Sequence, residues 1–141
     1  MAVKGLLMLD TNAVSALSRG RGPALSARLE TQAFCISVIA EAELRFGLAR
    51  RPVHADVRRI VEALLATVEI RPWTTACAAS YATLRTQLEA AGQPLSAMDF
   101  LIAAQALAEG HTLVSADRAL SQVPGLDVWD WTQDSANQPR A

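Results

Sequence analysis

The chain has 141 residues, of which 51% are hydrophobic and 19% are charged, with seven Gly and six Pro. This composition excludes a disordered or collagen-like chain and fits one globular domain. The formal net charge is −1 at pH 7, so no overall positive field attracts nucleic acid and any such contact must be local. The apolar runs are far shorter than the roughly 20 residues of a membrane span, and the first residues are typical of a strand rather than a signal peptide. We therefore expect a cytoplasmic protein without membrane contact.

Strand-like and helix-like segments alternate along the chain. In order, they are a strand over 5–9, helices over 12–19 and 23–30, a strand over 34–38, helices over 39–50 and 53–67, a strand over 68–73, helices over 74–91 and 96–109, a strand over 112–115, a short helix over 117–123 and a strand over 126–131. This alternation predicts an α/β fold, a three-layer α/β/α domain over residues 1–131 with a central, mostly parallel sheet. Residues 132–141 are polar and are expected to form a flexible tail.

Two acids follow the ends of predicted strands. Asp10 comes directly after the strand over 5–9, and Asp117 comes after the strand over 112–115. Ligands of open parallel sheets bind outside the carboxyl ends of the strands, which favours a functional role for both acids. Each acid would also serve as a simple cap for the helix that follows it. The sequence around either acid alone leaves both interpretations open.

A third acid lies on an apolar stripe of the helix over 39–50, which consists of Ile39, Ala42, Glu43 and Phe46. Such a stripe predicts a core-facing surface, where an unpaired carboxylate would cost several kcal/mol or become neutral. The alternative is that Glu43 lies at a partly exposed margin of the stripe. Glu41 lies on another face, four residues before Arg45, and is expected to form an exposed ion pair.

A fourth acid, Asp99, lies at the start of the helix over 96–109. It fits the third position of a capping box that begins at Ser96, and this position would also aim the carboxylate at the edge of the sheet. If the four acids meet there, each pair repels by roughly 4 kcal/mol at 4 Å and an effective dielectric constant of 20, so the cluster needs a cation. Carboxylates without His or Cys favour Mg²⁺ or Mn²⁺, and a metal held in this way suits phosphodiester hydrolysis.

The cysteines and histidines indicate no other site chemistry. Cys35 and Cys77 are expected to be small buried hydrophobic residues, because they are far apart and lie in apolar segments. His54 and His111 fall at predicted connections and are expected to be solvated loop residues. Their surroundings suit neither a zinc site nor a Ser–His–Asp triad.

Four motifs in this order resemble one known family. They are Asp10-Thr11-Asn12, Glu43-Leu44-Arg45-Phe46-Gly47, Asp99-Phe100-Leu101-Ile102-Ala103-Ala104 and Leu113-Val114-Ser115-Ala116-Asp117. Together they make the chain similar to the PIN-domain family of metal-dependent ribonucleases, and within it to the VapC toxins of bacterial toxin–antitoxin pairs. The resemblance covers nearly all of residues 6–131. Ser115 stands where many relatives have Thr, and Leu120 stands where an aromatic residue is common.

The resemblance implies a role for each matching residue. The acidic catalytic cluster would consist of Asp10, Glu43, Asp99 and Asp117. Asp10 and Asp99 would bind the Mg²⁺ directly, whereas Glu43 and Asp117 would bind it directly or through water. The polar positions that orient the metal shell or the substrate phosphate would be Thr11, Asn12 and Ser115. Gly47 would stand at a position where any larger residue would place its side chain too close to the neighbouring element.

The resemblance also implies partners: an RNA substrate, a second copy of the chain, and a VapB-type antitoxin that covers the active site and alone contacts DNA. Leu44 and Leu48 form a second apolar ridge, which either meets a partner helix or is buried within the monomer. Five arginines near the proposed cleft are candidates for phosphate contacts: Arg19, Arg21, Arg45, Arg50 and Arg51.

The leading hypothesis is a Mg²⁺-dependent endoribonuclease that acts as an antitoxin-controlled toxin. A phosphatase with an aspartyl nucleophile would need a second acid two residues after Asp10, where this chain has Asn12. A non-catalytic RNA- or protein-binding module with a PIN-like fold would have no reason to keep four acids that repel one another. A PIN-domain RNA-processing nuclease without an antitoxin stays open as the alternative.

Overall fold

The computed structural model describes residues 5–50 and 52–134. Its strands are β1 (Leu7–Leu9), β2 (Phe34–Ser37), β3 (Glu69–Arg71), β4 (Thr112–Val114) and β5 (Val128–Trp129). Its helices are α1 (Thr11–Ser18), α2 (Pro23–Leu29), α3 (Val38–Arg50), α4 (Ala55–Thr67), α5 (Thr75–Ala90), α6 (Ala97–Glu109) and α7 (Arg118–Ser121), with a 3₁₀ helix over Trp131–Gln133. None of the helices in the described ranges is long and apolar enough to cross a lipid bilayer.

The five strands form one parallel sheet in the order β3-β2-β1-β4-β5. In the central strand β1, Leu9 is aligned with Ile36 of β2 and with Val114 of β4. The chain adds β2 and β3 on one side of β1 and then returns to add β4 and β5 on the other. This reversal of strand order creates a crevice at the carboxyl end of β1, where open parallel sheets bind their ligands.

Helices cover both faces of the sheet, because successive side chains of a strand point to opposite faces. Leu6 and Met8 belong to one buried cluster, which α5 and α6 complete with residues such as Leu84 and Phe100. The second cluster contains Leu7 and Leu9, together with Val14, Leu25, Leu44 and Val61 from helices α1 to α4. The predicted three-layer α/β/α architecture with a parallel central sheet is therefore confirmed.

The predicted elements all appear, and their ends lie within two residues of the predicted positions. Several helix starts are set by capping side chains: Asp10, Ser96 and Asp117 accept the backbone N–H groups of Ala13, Asp99 and Ala119, respectively. Near the C-terminus, Trp131 is buried in the second core cluster, and Thr132 and Gln133 are exposed. Residues 135–141 of the predicted tail lie outside the described residues, and the division at residue 131 stays a prediction.

His111 corrects the prediction that both histidines are solvated. It is buried, its Nδ1 accepts the backbone N–H of Leu6 at 3.2 Å, and its Nε2 lies 3.6 Å from Oε1 of Glu109. The connection from α6 to β4 consists of Gly110, which is exposed, and His111, which is buried against the sheet. His54 is exposed and caps α4 by accepting the N–H of Asp56. Cys35 and Cys77 are buried, as predicted.

Helix α3 corrects the predicted orientation of its apolar stripe. Ala42 is exposed and the Phe46 side chain is 63% exposed, whereas Ala40 and Leu44 face the core. Leu48 is half-buried against the same cluster, so the Leu44–Leu48 ridge is buried within the monomer. The explanation offered for Gly47 is also wrong, because a Cβ atom on this residue would have no neighbour within 4 Å.

Candidate active site

The four acids of the predicted cluster come from four elements that meet at the carboxyl edge of the sheet. Asp10 follows β1, Asp117 follows β4, Glu43 lies in the second turn of α3, and Asp99 lies in the first turn of α6. Asp99 and Asp117 raise the pKa of Asp10, and Asp117 and Glu43 raise the pKa of Asp99. Side chains from distant parts of the sequence are thus close enough for their charges to act on one another.

Asp10 is the most buried of these acids, with 6% of its surface exposed. One carboxylate oxygen, Oδ1, accepts the backbone N–H of Ala13 at 2.7 Å. Burial raises the pKa of Asp10 from 3.8 to about 6; the nearby Ser115 hydroxyl and the Ala13 N–H lower it, and the charges of Asp99 and Asp117 raise it. The ionised form of Asp10 is therefore destabilised, and a nearby cation would stabilise this ionised form.

Asp99 is half-buried, and its backbone N–H donates to the Ser96 hydroxyl at 3.2 Å. Burial is the largest cause that raises its pKa; Ser96 lowers the pKa, and the neighbouring Asp117 and Glu43 raise it further. Asp99 thus interacts with acids on both sides of the crevice, which places it at the centre of the acidic site.

Glu43 is oriented by Thr11. The Thr11 hydroxyl donates a hydrogen bond of 2.8 Å to Oε1 of Glu43, and both side chains are half-buried. Glu43 consequently lies at the margin between the core and the crevice. This position agrees with the alternative interpretation of the sequence, in which Glu43 lies at a partly exposed margin of the stripe. Asn12, the next polar residue of the first motif, is exposed beside Asp10.

Two buried hydroxyl groups complete the edge of the sheet. Ser115 follows β4, and its Oγ accepts the backbone N–H of Asp117 at 3.0 Å. Ser37 ends β2, and its Oγ accepts the N–H of Ile39 at 3.0 Å. Sequence reasoning missed Ser37, which stands one residue beyond the aligned pair Leu9–Ile36, as Asp10 does. Ser37 carries the same sequence signal as Ser115, because each is a polar residue at the end of a buried apolar strand.

The donor set at this edge fits a hard divalent cation. Its side chains supply carboxylate and hydroxyl oxygens, which are the ligands that Mg²⁺ and Mn²⁺ prefer. Burial and mutual repulsion raise the pKa values of Asp10 and Asp99, so a cation between them would relieve both effects. Within residues 5–50 and 52–134, no three Asp, Glu, His or Cys side chains are arranged so that they could hold a metal ion. The side chains therefore supply suitable oxygens without a closed ligand shell.

The arginines near the crevice differ in what they contact. Arg45 pairs with Glu41 at 2.8 Å, which confirms the exposed pair expected from their spacing. The guanidinium of Arg50 lies 5.5 Å from the ring centre of Phe46. Arg19 and Arg21 are exposed where α1 ends, and Arg51 lies outside the described residues. The exposed Arg19 and Arg50 supply local positive charge at the C-terminal ends of α1 and α3, in a chain with a net charge of −1.

Comparison with known proteins identifies the family. The sequence profile of the PIN domain matches residues 7–126. The chain is 30% identical to Ribonuclease VapC2 of Rickettsia felis, over 89% of this chain and 98% of that protein. It is 33% identical to VapC ribonuclease Y4jK of Sinorhizobium fredii, over 87% of this chain and 95% of that protein.

Solved structures agree with the sequence comparison. The VapBC2 structure from Rickettsia felis, bound to a DNA fragment from the promoter, has a TM-score of 0.80 and 28% identity, over 88% of this chain and 97% of that chain. The DNA-bound VapBC from Salmonella typhimurium has a TM-score of 0.81 and 27% identity, over 90% of this chain and 98% of that chain. The fold, the order of the four acidic motifs and these similarities agree: the chain belongs to the PIN-domain family, and within it to the VapC ribonucleases.

Proposed function

We propose that this VapC-type endoribonuclease is a toxin that cleaves RNA phosphodiester bonds at the carboxyl edge of its sheet, with Mg²⁺ or Mn²⁺ as cofactor. The observation that carries the proposal is Asp10, a buried acid whose pKa rises to about 6 beside Asp99 and Asp117. Such a concentration of negative charge in a crevice is unfavourable unless a cation binds there.

The residues around the crevice would have different roles in metal binding and catalysis. Asp10 and Asp99 would hold the divalent ion, and Glu43 and Asp117 would bind it directly or through water. When bound, the metal would supply an activated water molecule and stabilise the charge that develops on the phosphate. Thr11 would keep Glu43 in place through their hydrogen bond. Ser115 would hold the chain around Asp117, and the exposed Asn12 would contact the phosphate.

The proposed partners are a VapB-type antitoxin and a second copy of the chain. The similar structures from Rickettsia felis and Salmonella typhimurium are DNA-bound VapBC complexes, which supports an antitoxin that covers the site and makes the DNA contacts. The exposed apolar stripe of α3, formed by Val38, Ala42 and Phe46, supports pairing with a second copy. Since cellular RNA is the proposed substrate, we infer that the protein acts in the cytoplasm.

Cleavage of cellular RNA by the purified protein tests this function. We expect cleavage with Mg²⁺, none with EDTA, and none by Asp10→Asn or Asp99→Asn variants that remain folded. Expression of the parent should arrest growth, and co-expression of the antitoxin should restore it. RNA cleavage without growth arrest would favour the RNA-processing nuclease. A parent protein that cuts no RNA with Mg²⁺ or Mn²⁺ would favour a non-catalytic module.

A further inference from the structure

A cavity of about 140 Å³ lies between α1, α3 and α4, directly beside the acidic site. We propose that it binds the base of one nucleotide next to the scissile phosphate and thereby sets the sequence preference of cleavage. The inference rests on the proposed nuclease function and adds a binding site for one part of the RNA. The occupant of the cavity is RNA rather than the antitoxin.

The cavity is continuous with the acidic site because the two share residues. Thr11 and Glu43, which are joined by a hydrogen bond, line the end of the cavity that opens towards the acids. A nucleotide whose phosphate reaches the acids would therefore have its neighbouring base at the mouth of this cavity. α1 is eight residues long, so its cavity-lining face extends about 12 Å from the acidic edge.

The two walls of the cavity have opposite chemistry. On α1, Thr11, Ser15 and Ser18 follow one another at helical spacing and line it with hydroxyl groups. The facing wall is aliphatic and includes Leu44 of α3 and Val57 and Val61 of α4. A flat heteroaromatic ring fits such a site, because its faces pack against aliphatic side chains and its edge exchanges hydrogen bonds with hydroxyl groups.

Two polar groups of the cavity have unused hydrogen-bonding capacity. In the described parts of the chain, neither the Ser15 hydroxyl nor the Arg19 guanidinium has a hydrogen-bond or ion-pair partner. Ser15 is half-buried within the wall, and Arg19 is exposed at the outer end of α1. Ser15 is suited to contact the base, and Arg19 to contact the phosphate on the far side of the same nucleotide.

The size of the cavity limits its occupant. Clefts that hold a drug-sized ligand measure roughly 300–1,000 Å³, which is well above the volume here. The cavity therefore suits a single base rather than a whole nucleotide. Gly47 adjoins it, and a Cβ atom on Gly47 would meet open space, so a larger side chain there would extend into the cavity.

Mapping of cleavage sites on an RNA library of random sequence tests the proposal. We expect the parent to prefer particular bases at one position beside the cut, and Gly47→Leu to reduce that preference about tenfold. Ser15→Ala should shift the preference at the same position without filling the cavity. The matched control is Ala63→Leu, which adds the same side chain to the exposed face of α4 and should leave the preference unchanged. Thermal unfolding of each variant checks that it is folded.

The possible outcomes separate this inference from the proposed function. If the parent cuts RNA but folded Gly47→Leu and Ser15→Ala keep its base preference, the inference is overturned and the nuclease function stands. If Gly47→Leu unfolds, Ser15→Ala decides the question alone. If the variants keep the base preference but bind the antitoxin more weakly, the cavity receives the antitoxin instead and the inference is again overturned. A parent that cuts no RNA overturns both.

Discussion

The Thr11 hydroxyl donates a 2.8 Å hydrogen bond to Glu43 although the two residues are 32 positions apart in the sequence. The bond joins the first turn of α1 to α3, directly beside Asp10. Thr11 therefore sets the orientation of a carboxylate that lies on another helix. This link makes the first motif a structural support for the second, in addition to any contact that Thr11 makes with the substrate.

Replacement of Thr11 tests this support. Thr11→Val keeps the shape of the side chain but removes the donor, and a hydrogen bond to a charged group contributes about 1.5–3 kcal/mol. We expect kcat/KM for RNA cleavage to fall about tenfold or more in Thr11→Val, while Thr11→Ser stays close to the parent. Equal activity of the Val and Ser variants would show that the hydrogen bond is unimportant.

The two glutamates of α3 should differ sharply. Both glutamates are half-buried, but Glu43 faces the acidic crevice, whereas Glu41 pairs with the exposed Arg45. Glu43→Gln should lower the cleavage rate by about a hundredfold or more, because it removes a charge that acts on the site. Glu41→Gln should change the rate by less than about twofold. Steady-state kinetics on one RNA gives the cleavage rate of each variant. A comparable loss of rate in both variants would mean that the wrong glutamate is assigned to the site.

Asp10 should make the metal-free protein less stable as the pH rises. The folded protein keeps the Asp10 proton up to about pH 6, whereas the unfolded chain releases it near the ordinary pKa of 3.8. The stabilising effect of protonation is therefore complete below about pH 4 and is lost between about pH 4 and 6. The pKa difference corresponds to about 3 kcal/mol, at about 1.4 kcal/mol for each pKa unit.

Asp10→Asn measures this effect. Asn also caps helices well but does not titrate, so the variant should be more stable than the parent at pH 7.5, by up to about 3 kcal/mol. The difference in unfolding free energy between the variant and the parent should become smaller as the pH falls towards 4. Urea unfolding in buffer with EDTA at several pH values gives the comparison. A difference in stability that is independent of pH would contradict the raised pKa of Asp10.

The ion pair between Arg71 and Glu109 should stabilise the packing of β3 against α6. Arg71 Nε lies 2.7 Å from Glu109 Oε1, and the Glu109 side chain is only 9% exposed. Arg71→Ala leaves this acid without its cation and should lower the free energy of unfolding by roughly 2 kcal/mol. Arg45→Ala, which breaks the exposed pair with Glu41, should lower it by less than about 0.5 kcal/mol. Urea unfolding distinguishes the two, and equal losses would contradict the difference in burial.

The proposed dimer should depend on the exposed stripe of α3. Phe46 is 63% exposed, and Ile60 on α4 is 47% exposed, so the two provide a matched pair of exposed apolar residues. We expect Phe46→Ser to raise the dimer dissociation constant by about tenfold or more, because burial of a large apolar side chain contributes about 1.5–3 kcal/mol. Ile60→Ser should leave it unchanged. Sedimentation velocity over a range of concentrations gives the dimer dissociation constant of each variant. If Ile60→Ser weakens the dimer and Phe46→Ser does not, the interface lies on α4.

Local patterns in the sequence predict most of the fold. Apolar runs such as 5–9 and 34–38 are too short for helices and are followed by helical periodicity, which is sufficient to predict a layered α/β domain. The polar residues Asp10 and Ser115, which follow the apolar strands β1 and β4, lie at the carboxyl edge because parallel strands end on the same side. The spacing of Glu41 and Arg45 likewise predicts their exposed ion pair, because residues four apart are neighbours on any helix.

The errors concern contacts between distant segments. Periodicity identifies apolar stripes on α3 but does not identify which stripe faces the core, and the packing of α3 against β2 and α4 buries Leu44 rather than Phe46. The position of His111 in a connection predicts exposure, but tertiary packing buries this residue while the neighbouring Gly110 is exposed. The cavity beside Gly47 was missed because three helices and the segment that precedes α4 form it together.

Residue types at short spacing are sufficient to predict the layered parallel fold, the candidate helix caps, and the two acids that follow strand ends, Asp10 and Asp117. Tertiary packing is required to bring Glu43 and Asp99 to the same edge, to raise the pKa of Asp10, and to form the hydrogen bond from Thr11 to Glu43 and the cavity beside it. These properties depend on burial and on distances between segments that are remote along the chain, and both arise only when the helices pack against the sheet.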